Sequence, residues 1–396
     1  MIDVERARRE TPGCAERIHL NNAGAALQPA CVLETVLGHL ELEAQLGGYE
    51  AEDAAADALA RVYDAAATLV GARREEIAVV ENATRAWDMA FYSIPFRPGD
   101  RILTSEAEYA SNYIAYLQVA RRTGAVVEPV ASDGTGALSV EALRATIDER
   151  VRLISLTHVP TNGGLVNPAE EVGAVAREAG CLYLLDACQS VGQLPVDVAA
   201  IGCDFLSATS RKFLRGPRGC GFLFVRAERL EELEPPFLDL HAAEWTAPGR
   251  YEVRHDARRF ENWESNVAAK LGLGTAIEYA LGWGLEAIRE RVFALADGLR
   301  ERLAAIPGVT VRDLGRVRCG IVSFTVEGVD AADVLSTLRE RGINVSVAVR
   351  PHTLLDMSAR GLERMVRASV HYYNTEDELD RACAAVAGLT ARRGPR

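Results

Sequence analysis

The segment Cys181-Leu182-Tyr183-Leu184-Leu185-Asp186-Ala187-Cys188-Gln189 carries the clearest structural signal in the chain. Its first five residues are apolar on both faces, which is typical of a central strand in a parallel sheet. The run ends at the carboxylate of Asp186, and a short polar turn follows. Because ligands of open α/β sheets lie beyond the carboxyl ends of the strands, Asp186 is the first candidate for a functional residue.

Similar apolar runs come before this segment and alternate with segments of helical spacing. The apolar runs occupy residues 77–80, 101–104, 125–127 and 151–156. The helical segments occupy residues 84–94, 110–123, 139–148 and 169–179. The alternation of strand and helix predicts a doubly wound α/β domain with a mainly parallel sheet.

The pattern changes after residue 200. Apolar runs at 203–206 and 221–225 predict a late edge of the same sheet, parallel or antiparallel, and residues 235–259 are interpreted as a long functional loop. The rest of the chain predicts a smaller α+β domain. Its elements are a helical pattern over 265–306, strands at 309–311, 321–326 and 343–347, a helix at 331–341, and a last helix with a capping box near Thr375.

Composition and charge narrow the classes of function. Of 396 residues, 48% are hydrophobic and 25% are charged, the ordinary mixture of a folded globular protein. With 44 basic and 56 acidic residues the net charge is −12, which argues against a nucleic acid or an anionic membrane as a partner. Residues 1–10 are too charged for a secretory signal, no apolar run has the length of a membrane span, and the eight cysteines form no CxxC pair. We expect a cytoplasmic protein with free thiols and no metal site.

Polar groups also follow other strands of the predicted sheet. Residues 81–86 place Thr84 at the start of a helix, where free amides and the helix dipole suit a phosphate. Thr161 and Asn162 follow the strand at 151–156. Thr209-Ser210-Arg211-Lys212 comes shortly after the run at 203–206, so hydroxyls and an amine are expected at the same edge of the sheet.

Lys212 is one of only two lysines in the chain. The other, Lys270, lies in a helical segment and is expected to be exposed at the surface or to extend its amine to the solvent from a partly buried stem. Arginine stays charged and cannot form an imine, which leaves Lys212 as the candidate amine. Together these groups describe a site for pyridoxal phosphate. The lysine would react with its aldehyde, Asp186 would bind its pyridine nitrogen, and the hydroxyls and the helix start would bind its phosphate.

Three motifs in chain order resemble the class V aminotransferase family, which includes the cysteine desulfurases: Ala83-Thr84-Arg85-Ala86, residues 183–189 and residues 207–212. The similarity extends from residue 20 to residue 375. It implies fold type I of the pyridoxal phosphate enzymes, with a large doubly wound domain around a seven-stranded, mainly parallel sheet, a smaller α+β C-terminal domain, and a homodimer. The expected divisions are an N-terminal segment 1–18 that joins the small domain, a large cofactor-binding domain 19–262 and a small domain 263–396.

The resemblance also implies roles for individual residues. Lys212 would form the aldimine with the cofactor and later move the proton at Cα. Asp186 would bind the pyridine nitrogen, and Gln189 would hydrogen-bond the phenolic oxygen. Arg367 would bind the substrate carboxylate as a guanidinium fork, with Asn22 beside the substrate. The remaining cofactor contacts would come from Ala83, Thr84, Arg85, Thr209 and Arg211 around the phosphate and from Tyr109 stacked on the ring.

The chain departs from the family pattern at three places. The asparagine that relatives hold near the ring corresponds either to Thr161 or to Asn162. Glu264 and Ser265 stand where many relatives present Gly-Thr to the phosphate of the partner subunit, so a phosphate contact of Ser265 stays open. Desulfurases carry a nucleophilic cysteine shortly before the substrate-binding arginine, whereas residues 349–357 contain none.

These features predict a pyridoxal phosphate enzyme that acts on an amino acid. The absence of cysteine from residues 349–357 favours a lyase that eliminates a sulfur β-substituent from a cysteine conjugate, similar to the hercynylcysteine sulfoxide lyases. Transamination, epimerisation and decarboxylation coupled to oxidative deamination remain alternatives, because they use the same groups. A dinucleotide-binding oxidoreductase is disfavoured, since no GxGxxG follows the first strand.

Overall fold

The computed structural model describes residues 1–391. The C-terminal end of the predicted small domain, residues 392–396, lies outside the described residues. The helices are α1 (Val4–Arg9), α2 (Ala30–Leu46), α3 (Gly48–Ala54), α4 (Ala56–Val70), α5 (Ala83–Tyr92), α6 (Ala110–Thr123), α7 (Val140–Thr146), α8 (Ala169–Ala179), α9 (Val198–Ile201), α10 (Val267–Trp283), α11 (Leu285–Ala304), α12 (Ala331–Glu340), α13 (Leu354–Ala359) and α14 (Glu376–Ala391). The strands are β1 (Ile18–His19), β2 (Ile77–Val80), β3 (Arg101–Ser105), β4 (Val126–Val130), β5 (Val151–Thr157), β6 (Leu182–Asp186), β7 (Phe205–Thr209), β8 (Gly221–Val225), β9 (Ala243–Ala247), β10 (Arg250–Val253), β11 (Val309–Val311), β12 (Ile321–Val326), β13 (Ile343–Asn344), β14 (Ser346–Val349) and β15 (Arg364–Ser369).

A seven-stranded sheet with the order β2-β8-β7-β6-β5-β3-β4 forms the centre of the larger part of the chain. Strand β6 is buried on both faces, because Tyr183 and Leu185 pack into one apolar cluster and Leu182 and Leu184 into another. Each such side chain contributes about 1.5–3 kcal/mol through burial of its apolar surface. The sheet therefore has covered faces on both sides, as the doubly wound prediction requires.

The late part of the sheet differs from the prediction. Strand β8 runs antiparallel to both of its neighbours, β2 and β7, but it lies inside the sheet and not at an edge. The edges are β2 and β4, and β4 is half exposed. The fully buried, apolar sequence of β8 is consistent with its interior position.

A second sheet, with the order β11-β12-β15-β14, lies in the C-terminal part and is antiparallel throughout. The short strand β1 pairs with β13, which joins the N-terminal segment to this part of the chain. Helix α10 packs against α2 and α4. The division at residues 18 and 262 remains a prediction.

Several elements differ in detail from the sequence expectations. The predicted loop 235–259 contains the hairpin β9–β10, and the helical pattern over 265–306 is broken at Gly284, whose φ of 84° ends α10. The strand predicted at 343–347 is two short strands. The capping box of the last helix is confirmed, since Thr375 and Glu378 exchange backbone-to-side-chain hydrogen bonds of 3.3 Å. Among residues 1–391, no helix is long and apolar enough to cross a membrane.

Candidate active site

A cavity of about 590 Å³ lies beyond the carboxyl ends of β5, β6 and β7. The first turn of α5 and residues of β14 and β15 close its sides. The strand ends meet there because β5, β6 and β7 are parallel neighbours, with Thr157 opposite Asp186 and Asp186 opposite Ser207. The predicted site residues that line the cavity are Ala83, Thr84, Tyr109, Thr161, Asp186, Gln189, Thr209, Arg211, Lys212 and Arg367.

Asp186 is the last residue of β6, and its carboxylate is buried. Its Oδ1 accepts a hydrogen bond of 2.9 Å from the amide of Cys188, and its Oδ2 accepts one of 3.1 Å from Asn112 Nδ2. These two donors fix the orientation of the carboxylate at the floor of the cavity. An oriented, buried carboxylate is suited to hold a protonated ring nitrogen.

Lys212 lies in the loop after β7 and lines the same cavity. Burial lowers the pKa of its amine below the usual value, and the nearby Arg211 and Arg367 lower it further, while Cys188 and Asp186 act in the opposite direction. A lysine with a lowered pKa has a larger fraction of neutral amine, which is the form that reacts with an aldehyde and accepts a proton.

The start of α5 forms one wall of the cavity. Asn82 caps this helix by accepting a hydrogen bond of 2.9 Å from the amide of Arg85, and the preceding amides of Ala83 and Thr84 lie at the helix start, where amides have no partner within the helix. Gly221 of β8 permits this approach, because a Cβ atom there would lie 3.0 Å from Ala83 N. The helix start therefore offers donors to an anion.

Two cationic side chains and a hydroxyl complete this wall. Arg211 donates from Nη1 to Thr209 Oγ1 at 3.2 Å, and both line the cavity. Arg218, which the sequence analysis does not assign to the site, also lines it. Together with the start of α5, these groups match the charge and donor requirements of a phosphate.

The opposite wall joins Gln189, Thr161 and Arg367. Gln189 Nε2 donates to Ala23 O at 3.1 Å and lies 3.4 Å from Thr161 Oγ1. Arg367 of β15 donates from Nη1 to the carbonyl and hydroxyl oxygens of Thr161 at 2.8 and 3.0 Å, and from Nε to Ser346 Oγ at 3.0 Å. Burial lowers the pKa of Arg367 to about 10, which leaves the guanidinium charged at neutral pH.

Four predicted site residues do not line this cavity. Asn22 is fully buried and donates to Ser369 O at 2.7 Å. Asn162 donates to Thr353 Oγ1 at 2.9 Å, outside the cavity, so Thr161 is the member of the pair that lines it. The side chain of Arg85 lies over the ring of Phe237 at 4.6 Å. Ser265 lines a separate cavity of about 850 Å³.

The structure adds residues that the sequence interpretation did not assign. His352, from the 3-10 helix Arg350–Thr353, lines the cavity beside Arg367. Glu108 and Asn112 lie behind Asp186 and are nearly fully buried. No local pattern in the sequence identified them, because Glu108 lies two residues before α6 and is linked to Asp186 only through the hydrogen bonds of Asn112.

Lys270 differs from its surface expectation. Its amine lies 3.6 Å from Glu261 Oε2, and its side chain is only 13% exposed. It lines the 850 Å³ cavity that also contains Ser265, and not the cavity of Lys212.

The donor set of the main cavity fits pyridoxal phosphate. Lys212 supplies the amine, Asp186 the carboxylate for a ring nitrogen, Tyr109 an aromatic ring, and the α5 wall the phosphate donors. Gln189 Oε1 is buried without a hydrogen-bond partner, so the Gln189 amide at the cavity wall has unused capacity for a bound molecule. These assignments of individual residues remain predictions.

Comparisons with known proteins agree with this architecture. The profile of the aminotransferase class V family matches residues 18–382. A probable cysteine desulfurase of Synechocystis sp. is 31% identical, over 92% of this chain and 88% of the relative. The apo structure of a cysteine desulfurase from Thermococcus onnurineus NA1 superposes with a TM-score of 0.93 at 26% identity and covers 99% of both chains.

A complex of the cystine C–S lyase C-DES with its reaction product cysteine persulfide has the same fold. Its TM-score is 0.86 at 23% identity, over 95% of this chain and 99% of the other. The comparisons confirm the family resemblance and the fold type that the three motifs predict.

Proposed function

Since the chain belongs to the class V aminotransferase family of pyridoxal phosphate enzymes, we propose that it is a lyase that removes a sulfur substituent from Cβ of a cysteine conjugate. In the overall reaction an S-substituted cysteine and one water yield pyruvate, ammonia and a thiol. The C–S bond breaks, its electron pair leaves with the sulfur, and no external oxidant or reductant is needed.

The observation that carries this proposal is that, among residues 1–391, no nucleophilic cysteine lines the cavity. Residues 349–357, which precede Arg367, contain no cysteine, and the member of this segment that lines the cavity is His352. Cys188 also lines the cavity, but burial and the neighbouring Asp186 raise the pKa of its thiol well above the usual value. A thiol in that state is a poor nucleophile, so transfer of sulfur to the enzyme is disfavoured.

The residues of the cavity suit an elimination. Arg367 would bind the substrate carboxylate and so orient Cα toward Lys212. Lys212, with its lowered pKa, would take the proton from Cα. When bound, pyridoxal phosphate would accept the electron pair released at Cα, and Asp186 would keep its ring nitrogen protonated.

We also propose that the enzyme is a homodimer in a reducing, cytoplasmic compartment. Ser265 does not line the cavity of Lys212 in the same subunit, so a phosphate contact of Ser265 requires a second subunit. Trp263, two residues before Ser265, is 53% exposed and offers apolar surface beside it. The eight cysteines are free, which supports a reducing compartment.

The test of the proposed reaction is a product assay with purified holoenzyme. A panel of S-alkyl and S-aryl L-cysteines, cystine and free cysteine is incubated with the enzyme, and pyruvate, ammonia and thiol are measured separately. We expect equal amounts of all three products from at least one conjugate and none with Lys212→Ala. Absence of pyruvate and ammonia across the panel would refute the proposal.

Other products would identify the competing reactions. The related desulfurases make conversion of cysteine to alanine with release of sulfane sulfur the main competitor, and alanine in place of pyruvate would favour it. A keto acid that retains the sulfur substituent would indicate transamination. Racemised substrate would indicate an epimerase, and carbon dioxide release would indicate a decarboxylating oxidative deaminase.

A further inference from the structure

Glu108 is a buried carboxylate behind the floor of the cavity. It precedes Tyr109 at the start of α6 and is 3% exposed. Among residues 1–391, no lysine or arginine donates a hydrogen bond to its carboxylate. A buried carboxylate without a counterion is costly unless other donors compensate its charge. Its position next to Asp186 therefore calls for a functional explanation.

Four donors surround the Glu108 carboxylate. Its Oε2 accepts a hydrogen bond of 2.8 Å from Thr104 Oγ1, and its Oε1 accepts bonds from Tyr109 N at 2.7 Å, Asn112 Nδ2 at 3.0 Å and the hydroxyl of Thr157. The two amide donors can only donate, so they favour the ionised carboxylate. Burial acts in the other direction and raises the pKa of Glu108, and the nearby Asp186 raises it further.

Asn112 links Glu108 to Asp186. One nitrogen, Asn112 Nδ2, donates to Glu108 Oε1 at 3.0 Å and to Asp186 Oδ2 at 3.1 Å. Asn112 is 4% exposed, so water does not separate the three groups. The two carboxylates are thus held one nitrogen atom apart, and the negative charge of each acts on the surroundings of the other.

The titratable groups that face Glu108 are few. Asp186 faces it from β6, and Tyr116 faces it from α6. Tyr116 stays neutral, because burial raises its pKa far above the usual value, and its hydroxyl donates to Ser155 Oγ at 2.8 Å. Lys212 is a cation that faces Asp186 from the loop after β7. The negative charge of Glu108 and Asp186 is therefore not balanced by positive charge until a protonated ring nitrogen lies against Asp186.

We propose that Glu108 is a positioning residue that acts through Asn112: it fixes the Asp186 carboxylate and adds a second negative charge that keeps the ring nitrogen of the cofactor protonated. The inference rests on the proposed function in one respect, because it takes Asp186 as the partner of that nitrogen. It does not depend on which bond of the substrate the enzyme breaks.

The test measures the proton on the ring nitrogen directly. Holoenzyme is reconstituted with pyridoxal phosphate labelled with ¹⁵N in the ring, and the ¹⁵N chemical shift is followed as a function of pH. In Glu108→Gln, which keeps the shape and removes the charge, we expect the pH at which the nitrogen loses its proton to fall by about one unit or more. Asn112→Ala should shift it in the same direction and serves as a second variant if Glu108→Gln folds poorly.

Glu106→Gln is the matched control. Glu106 lies two residues away in the same loop and accepts a hydrogen bond of 3.1 Å from Ser132 N, away from Asp186. In Glu106→Gln, the ring nitrogen should lose its proton at the same pH as in the unchanged enzyme. The inference would be overturned if Glu108→Gln and Asn112→Ala both left the pH at which the ring nitrogen loses its proton unchanged, while Asp186→Asn lowered it.

The design separates this inference from the proposed reaction. If Glu108→Gln lowers the pH at which the ring nitrogen loses its proton, while the enzyme forms no pyruvate from any conjugate, the inference holds and the lyase proposal fails. If Asp186→Asn leaves the titration unchanged, the placement of the ring nitrogen is wrong and the inference falls with it.

Discussion

Replacement of Arg367 by lysine tests how the enzyme holds its substrate. In the structure, Nε and both hydrogens of Nη1 are directed to Ser346 and Thr161, which leaves Nη2 for a substrate carboxylate. A two-nitrogen fork, as the sequence resemblance implies, would require Arg367 to release one of these partners. The available contact is one hydrogen bond to a charged group, worth about 1.5–3 kcal/mol.

This magnitude corresponds to a loss of roughly 10- to 150-fold in kcat/KM for Arg367→Lys, because 1.4 kcal/mol is about a factor of ten. The assay compares S-methyl-L-cysteine with its carboxamide, which has no carboxylate charge. We expect the substitution to reduce kcat/KM for the acid and to change that for the amide little. An equal loss for both compounds would refute the assignment of Arg367 to the carboxylate.

Three further predictions concern the lysines, the cavity thiol and the response to acid. Lys212→Ala should abolish the visible absorbance of the lysine-bound cofactor. Lys270→Ala should retain it, because the Lys270 amine pairs with Glu261 and does not line this cavity. Cys188→Ala should retain at least about a third of the pyruvate-forming activity, since its thiol is kept neutral; a loss of several orders of magnitude would show that the thiol takes part in the reaction. His158 is buried and its pKa is lowered from 6.5 to about 4, so the unfolded chain binds a proton there at higher pH than the folded chain. Stability contributed by neutral His158 is present above pH 6.5 and should fall by roughly 3 kcal/mol toward pH 4, and urea titrations should show a weaker fall in His158→Gln.

The floor of the cavity was predictable because its residues follow central strands. Asp186 and Thr209 are the last residues of β6 and β7. Because neighbouring parallel strands end at the same edge of the sheet, these two residues lie close together for any conformation of the loops. The choice between Thr161 and Asn162 was not predictable. Thr161 and Asn162 lie in a turn after β5, where no fixed period sets the direction of neighbouring side chains, and the hydrogen bond to Thr353 shows that Asn162 is directed away from the cavity.

Other features depend on contacts between distant parts of the chain. Glu108 is recognisable as functional only when Asn112 is found bonded to Asp186, 74 residues further along. The hairpin β9–β10 has mostly exposed strands, so the alternation of buried and exposed residues that would indicate a strand is absent from its sequence. The interior place of β8 is fixed by its pairing with β2, which no local pattern specifies.

The fate of the substrate carbon skeleton tests the central claim most directly. An S-substituted L-cysteine labelled with ¹³C at Cβ is incubated with the holoenzyme, and the products are followed by ¹³C NMR. The elimination that we propose predicts that the label appears in the methyl group of pyruvate, with one thiol and one ammonia released for each molecule. Label in the methyl group of alanine, or in a keto acid that still carries sulfur, would contradict it.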